Sequence, residues 1–308
     1  MLNLLKSKNK TTNIYKKFRR IKFMSDSIIE KSTELIEKLR KESPLTHCIT
    51  NVVTVRDCAN AVLAIGGSPI MANAPEEAEE IVTIADSLVI NIGTLTSEQI
   101  ETMKKSAKQA AKLEKAFVLD PVGVGISKIR NETPIDIIKE SKPAIIRGNL
   151  SEIKAIAMFY GILEECTTAK GVDVADSDII NNDTLQTNAQ IVKNIAEKLD
   201  TTIAVSGPID IVSDGKETYA LKNGDAMMAN ITGTGCMLGC IMGVYAATGD
   251  SLTAAVTATA VISIAGEIAA KTARDNNQGT GSFGTYLIDE LSRMNIETFT
   301  EYANIIKI

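Results

Sequence analysis

The chain has 308 residues, of which 44% are hydrophobic and 23% charged, an ordinary globular composition with ample material for a core. Five scattered cysteines (Cys48, Cys58, Cys166, Cys236 and Cys240) form no CxxC pair and are odd in number, which excludes a disulfide framework and points to a reducing, intracellular setting; the single histidine, His47, excludes a multi-histidine metal centre. Of the 33 Lys and Arg, eight fall in residues 1–25, where there is no acid; the remaining 25 face 38 acids, a net −13, so the body is a poor nucleic-acid binder.

Along the chain, the basic leader comes first. It reads as an upstream extension with Met24 the more natural start, as a disordered tail, or as a targeting peptide, and without a long apolar run it is no secretory signal. The expected division is therefore an extension over 1–23 and one domain over 24–308. Apolar residues at helical spacing (Ile28, Ile29, Leu35, Ile36, Leu39) predict a helix over Ser25–Glu42 that ends before Pro44. "DSLVINIG" (86–93) reads as a short buried strand, followed by a helix over Ser97–Glu114 capped by Thr96 or Ser97. "AFVLDPVGVG" (116–125), "PAIIRGN" (143–149) and "TTIAVSG" (201–207) repeat the strand theme, and "LSEIKAIAMF" reads as helical. "IDIVSDGKETYAL" predicts a hairpin about Asp214-Gly215. Ser251–Ala270 is about long enough to span a bilayer, but its Ala/Thr content and Glu267 favour a buried helix of a soluble core. Strands alternating with helices predict one α/β domain whose mostly parallel sheet is covered on both faces.

Ligands of such sheets collect beyond the carboxyl ends of the strands. There lie Asp120, then Asn149 and Glu152, and later the turn Gly233-Thr234-Gly235 ahead of a nearly uncharged helix. Glycines let consecutive amides converge on an oxyanion, and a helix start adds its positive dipole end. A plain tight turn explains the same residues, and the spacing GxGxxxG is neither a Walker loop nor a dinucleotide fingerprint. Two carboxylates with substrate phosphates are a Mg²⁺ arrangement. Singly, Asp120 is also a turn former before proline, and Glu152 a dipole-favoured first-turn acid. Together with the anion nest they point to phosphoryl transfer.

At this point six stretches matter as a set: "PLTHCITN", "GGSPIMANAPEE", "LVINIGTL", "VLDPVGVG", "IRGNLSEI" and "TGTGCMLG". In order, they resemble hydroxyethylthiazole kinase of the ribokinase-like superfamily, from about Ser43 to "GSFGTYLIDEL" near the C-terminus. The resemblance implies a three-layer α/β/α fold and ATP-dependent phosphorylation of 4-methyl-5-(2-hydroxyethyl)thiazole in thiamine salvage. It also implies a cytoplasmic homotrimer with active sites between subunits, with ATP as co-substrate and Mg²⁺ as cofactor. It places Asp120 and Glu152 at the metal. Arg147, Ser206, Asn149, Thr232 and Gly235 fall at ATP, and Met71, Gly233, Asn51 and Val53 at the thiazole. Met71 is otherwise core filler, Arg147 a surface partner for an acid, Ser206 a helix cap and His47 a satisfied turn residue.

Cys236 stands where most of the superfamily has Asp. A loose transition state makes a strong base dispensable, and a helix N-terminus lowers a thiol's pKa, so a base or hydroxyl-positioning role and a small buried filler are both open. Cys240, one helical turn on, reads as filler. Two other functions share these features. One is a nucleotide-dependent dehydratase of hydrated NAD(P)H, against which the thiazole-pocket stretch weighs. The other is an inactive nucleotide-binding homologue, against which the intact set Asp120, Asn149, Glu152, Gly233 and Gly235 weighs.

Overall fold

A computed structural model describes residues 28–163 and 179–308. The expected extension over 1–23 and Cys166 lie outside the described residues. Helix α1 (Ile28–Glu42) buries Ile28, Leu35, Ile36 and Leu39 on one face, and the chain leaves it through Ser43 at φ 47°. Next come β1 (Leu45–Ile49), α2 (Val55–Ile65), β2 (Ser68–Ile70), α3 (Ala78–Ile84) and β3 (Ser87–Asn91). Helix α4 (Ser97–Lys112) starts at a capping box in which Thr96 and Gln99 satisfy each other's backbone N–H. β4 (Phe117–Asp120), α5 (Lys128–Ser141), β5 (Ile145–Asn149), α6 (Leu150–Phe159), α7 (Leu185–Leu199) and β6 (Thr202–Ser206) continue the alternation. The predicted hairpin is β7 (Asp210–Ser213) and β8 (Thr218–Leu221). A 3₁₀ turn (Ala226–Asn230) leads to α8 (Thr234–Ala246), α9 (Ser251–Asp275), α10 (Thr280–Arg293), α11 (Ile296–Tyr302) and β9 (Ile305–Lys307).

The strands form one sheet in the order β2-β1-β3-β4-β5-β6-β7-β8-β9. Pairings from β2 through β6 are parallel and those from β6 through β9 antiparallel. Successive strand residues point to opposite faces, and both faces are dry. Val89, Val118 and Ile145 pack with α1, α2, α8, α9 and α10 on one side. Leu88, Ile90, Leu119 and Ile146 pack with α4, α5, α6 and α7 on the other. The result is the expected three-layer α/β/α sandwich. Among the described residues α9 is the one helix long and apolar enough to cross a membrane, and 89% of that window is buried inside the fold.

The sequence reading did not find β1, β2 and β9. β1 carries His47, which is therefore a fully buried strand residue and not a turn residue.

Candidate active site

Sheet register sets the site. At the carboxyl end of the parallel strands, Asn91 of β3 sits opposite Asp120 of β4, and Asn149 of β5 opposite Ser206 of β6. A chain of side chains crosses these four strands. The Asn91 Nδ2 donates to Asp120 Oδ2 (2.6 Å), Arg147 Nη1 donates to the same oxygen (3.1 Å), and Arg147 Nη2 donates to Ser206 Oγ (2.8 Å). Asp120 is wholly buried, and its Oδ1 has no hydrogen-bond partner. Burial pushes its carboxyl up from the usual range, while Arg147 and Asn91 favour the carboxylate.

Asn149 caps α6, its Oδ1 accepting from the Glu152 N–H (2.9 Å). Glu152 completes the capping box, with Oε2 accepting from the Asn149 N–H, and Oε1 reaches the Gly123 N–H in the loop after β4 (both 2.8 Å). Local dipole logic thus explains Glu152, but its second oxygen also ties two loops together. Burial and the negative charge of Asp120 raise its pKa, against the two N–H donors and Arg147. Both acids lie at the carboxyl-end rim of the parallel strands, and the Asp120 charge reaches Glu152.

The glycine turn closes that rim. Gly233, at φ +91°, precedes α8, which no side chain caps, so its first amides carry the free donors of a helix start. A Cβ on Gly233 would lie 2.7 Å from Thr54 Cγ2, and one on Gly235 would lie 2.8 Å from Arg147 Nη1. Gly235 therefore lets the guanidinium rest against the first turn of α8. Beside it opens a cavity of about 620 Å³, whose wall includes Arg147, Ser206, Asp210, Met228, Thr234 and Gly235. Thr232 is exposed in the turn just ahead of α8.

Cys236 faces the other side of the same helix start. Its Sγ accepts from Asn51 Nδ2 (3.1 Å) and Asn91 Nδ2 (3.3 Å). One expectation is corrected here. The thiol is not lowered overall; burial, followed by the charge of Asp120, pushes it up against Thr54 and Arg147, which favours the protonated form. Cys240 is fully buried in the core beneath. Asn51 is buried against Cys236 and Asn91, whereas Val53 is 62% exposed on the adjoining loop. Met71 is half-buried and packs against the core. His47 Nε2 bonds the Ala72 carbonyl (2.9 Å), which fixes the loop carrying Met71, and burial keeps the ring neutral.

The structure thus brings Asp120, Arg147, Asn149, Glu152, Ser206, Gly235 and Cys236 around one helix start. Asn51 joins them and Val53 and Met71 stand farther out. Sequence reasoning missed Asn91, Thr54 and Asp210 as neighbours of the site. Asn91 ends a strand whose following residues alone were inspected, and Asp210 opens a hairpin read only for its turn.

No group of three or more His, Cys, Asp or Glu among the described residues is arranged to hold a metal ion. The unpartnered Asp120 oxygen and the remaining lone pairs of Glu152 nevertheless fit a hydrated cation held mainly by phosphates and water.

The sequence model of the Hydroxyethylthiazole kinase family matches residues 36–297. Hydroxyethylthiazole kinase 1 of Methanosphaera stadtmanae is 70% identical over 285 residues, covering 92% of this chain and 100% of that protein. The hydroxyethylthiazole kinase structure from Pyrococcus horikoshii is 34% identical with a TM-score of 0.79, covering 91% of this chain and 99% of that one. A ribokinase-like superfamily protein of Enterococcus faecalis, at 14% identity and TM-score 0.50 over 87% of this chain and 91% of that one, shares the fold alone. With the family's model matched across most of its length and a 70% identical relative covered in full, the chain belongs to the hydroxyethylthiazole kinase family.

Proposed function

We propose that the protein transfers the γ-phosphoryl group of ATP to the hydroxyl of 4-methyl-5-(2-hydroxyethyl)thiazole, a salvage step toward thiamine. The observation that carries this reading is the uncapped start of α8, with Gly235 against Arg147, facing Asp120 and Glu152 across one rim. Positioning and charge stabilisation do most of the work in such a transfer.

Residues fall into two groups about α8. On the cavity side, Arg147 and Ser206 are placed to take polyphosphate oxygens, the guanidinium being matched to phosphate. The first amides of α8, from Gly233 to Cys236, stabilise charge on the transferring group, as donors fixed before the reaction. Asp120 and Glu152 would hold Mg²⁺ through its water shell, with Asn149 setting Glu152. A bound Mg²⁺ would neutralise charge on the β- and γ-phosphates. On the opposite side, Asn51, Val53, Met71 and Gly233 bound the thiazole pocket.

The alcohol oxygen attacks phosphorus in line as the bond to the ADP oxygen breaks. The raised pKa of Cys236 makes it a hydrogen-bonding guide for the hydroxyl and a poor base. The proton departs late, to water or to an oxygen of the transferred phosphoryl group, once the new P–O bond has made the alcohol oxygen acidic. Assembly as a cytoplasmic homotrimer is part of the same proposal. Exposed Val52 and Val53 beside the site suit coverage by a neighbouring subunit. A screen for ADP release over thiazole and pyrimidine alcohols tests the reading. Selective release with the thiazole alcohol supports it, and release with neither opposes it.

A further inference from the structure

The carboxyl ends of β3 and β4, with the loops that follow them, carry different halves of this site. The first holds Asn91, on Cys236 and Asp120, and Thr94, whose Oγ1 accepts from the Val52 N–H (3.1 Å). The second holds Asp120 and Gly123, the donor to Glu152. One side chain joins them. Arg130, in the first turn of α5, donates through Nη1 to the Ile92 carbonyl (2.8 Å) and the Val122 carbonyl (2.7 Å), and through Nη2 to the Gly93 carbonyl (2.5 Å). Gly123, at φ +74°, lies against its stem, since a Cβ there would be 3.3 Å from Arg130 Cδ. The next residue, Asn131, accepts the Gly125 N–H (2.6 Å).

We infer that Arg130 is a positioning residue that fixes the spacing between the substrate-side loop, 91–94, and the metal-side loop, 120–125. Its hydrogen bonds to described residues all go to main-chain carbonyls, so its task here is to span two loops and not to neutralise an acid. A planar guanidinium addresses three carbonyls from a fixed fork, whereas an ammonium keeps the charge and loses the span. The consequence for turnover rests on the proposed function; the consequence for the loops does not.

Arg130→Lys and Arg130→Ala test this. In the ligand-free protein, hydrogen exchange should speed up about tenfold or more in both 92–95 and 122–125, while the interior of α9 stays protected. Turnover should fall about 10–100-fold, the order expected of a sub-ångström to ångström misplacement. KM for ATP should move less than about threefold, because Ser206, Asp210 and Met228 lie on other segments. Faster exchange in neither loop or in only one, or wild-type turnover in the lysine variant, would overturn the inference. If Arg130→Ala does not fold, the lysine variant decides. Should wild-type protein release no ADP with the thiazole alcohol, the functional reading falls, and the exchange data still decide the role of Arg130.

Discussion

Arg147 and Asp120 form an ion pair across adjacent strand ends, Nη1 to Oδ2 3.1 Å, with side-chain exposures of 8% and 1%. A pair this dry holds together because each partner compensates the other's desolvation. Arg147→Met would leave Asp120 buried without its cation and should cost about 3–5 kcal/mol. Urea unfolding measures this. The double variant Asp120→Asn/Arg147→Met should regain part of the loss, and a single-variant cost below about 1 kcal/mol would mean the pair is open to solvent.

Cys236→Asp places a carboxylate where Asn51 and Asn91 already direct N–H groups. The variant should remain active and turn over at least as fast as the wild type, since a carboxylate near Asp120 has a raised pKa suited to accepting a proton. Like charge beside Asp120 should also lower its melting temperature. A folded but inactive variant would contradict the placement of the hydroxyl at this sulfur.

Glu152→Gln keeps one acceptor and turns the other toward a backbone N–H as a donor. Either the bond from the Asn149 N–H or the one from the Gly123 N–H is then lost, at a cost of about 1 kcal/mol. Turnover should fall, and its Mg²⁺ titration should shift to higher concentration. An unchanged metal titration would remove Glu152 from the cation site.

The four parallel strands from β3 to β6 were legible because each is an apolar run ending in turn residues, buried on both faces. β1 was not, because Thr46 and His47 interrupt its apolar pattern and only its neighbours' packing explains their burial. The acids, the arginine and the glycine turn were legible as residue types at strand ends and a helix start. Their mutual arrangement was not. Arg147 and Asp120 were assigned to phosphate and metal separately, and only register makes them partners. Asn91 matters through its pairing with Asp120, 29 residues away, which no local pattern encodes. The upward shift of the Cys236 thiol was hidden for the same reason: the helix start is local, whereas burial and the Asp120 charge come from the fold.

Asp210 lines the cavity, and its Oδ1 accepts from the Gly207 N–H (2.9 Å). Burial lifts its pKa to about 7, against the Gly207 N–H, Arg147 and Ser263. The folded state therefore binds a proton that the unfolded state releases near pH 4, so this group makes stability fall as pH rises from about 4 to about 7. Asp210→Asn removes that dependence. Its melting temperature relative to wild type should rise between pH 5 and pH 8 and level off above. A difference that stays flat would place Asp210 in solvent.

Phosphorus NMR of the protein mixed with ATP, Mg²⁺ and 4-methyl-5-(2-hydroxyethyl)thiazole watches the phosphoryl transfer itself. A phosphomonoester resonance should grow in step with ADP, one for one, and depend on the metal. ADP without the ester, or no reaction with this alcohol while hydrated NAD(P)H is dehydrated in the presence of nucleotide, would contradict the proposed transfer.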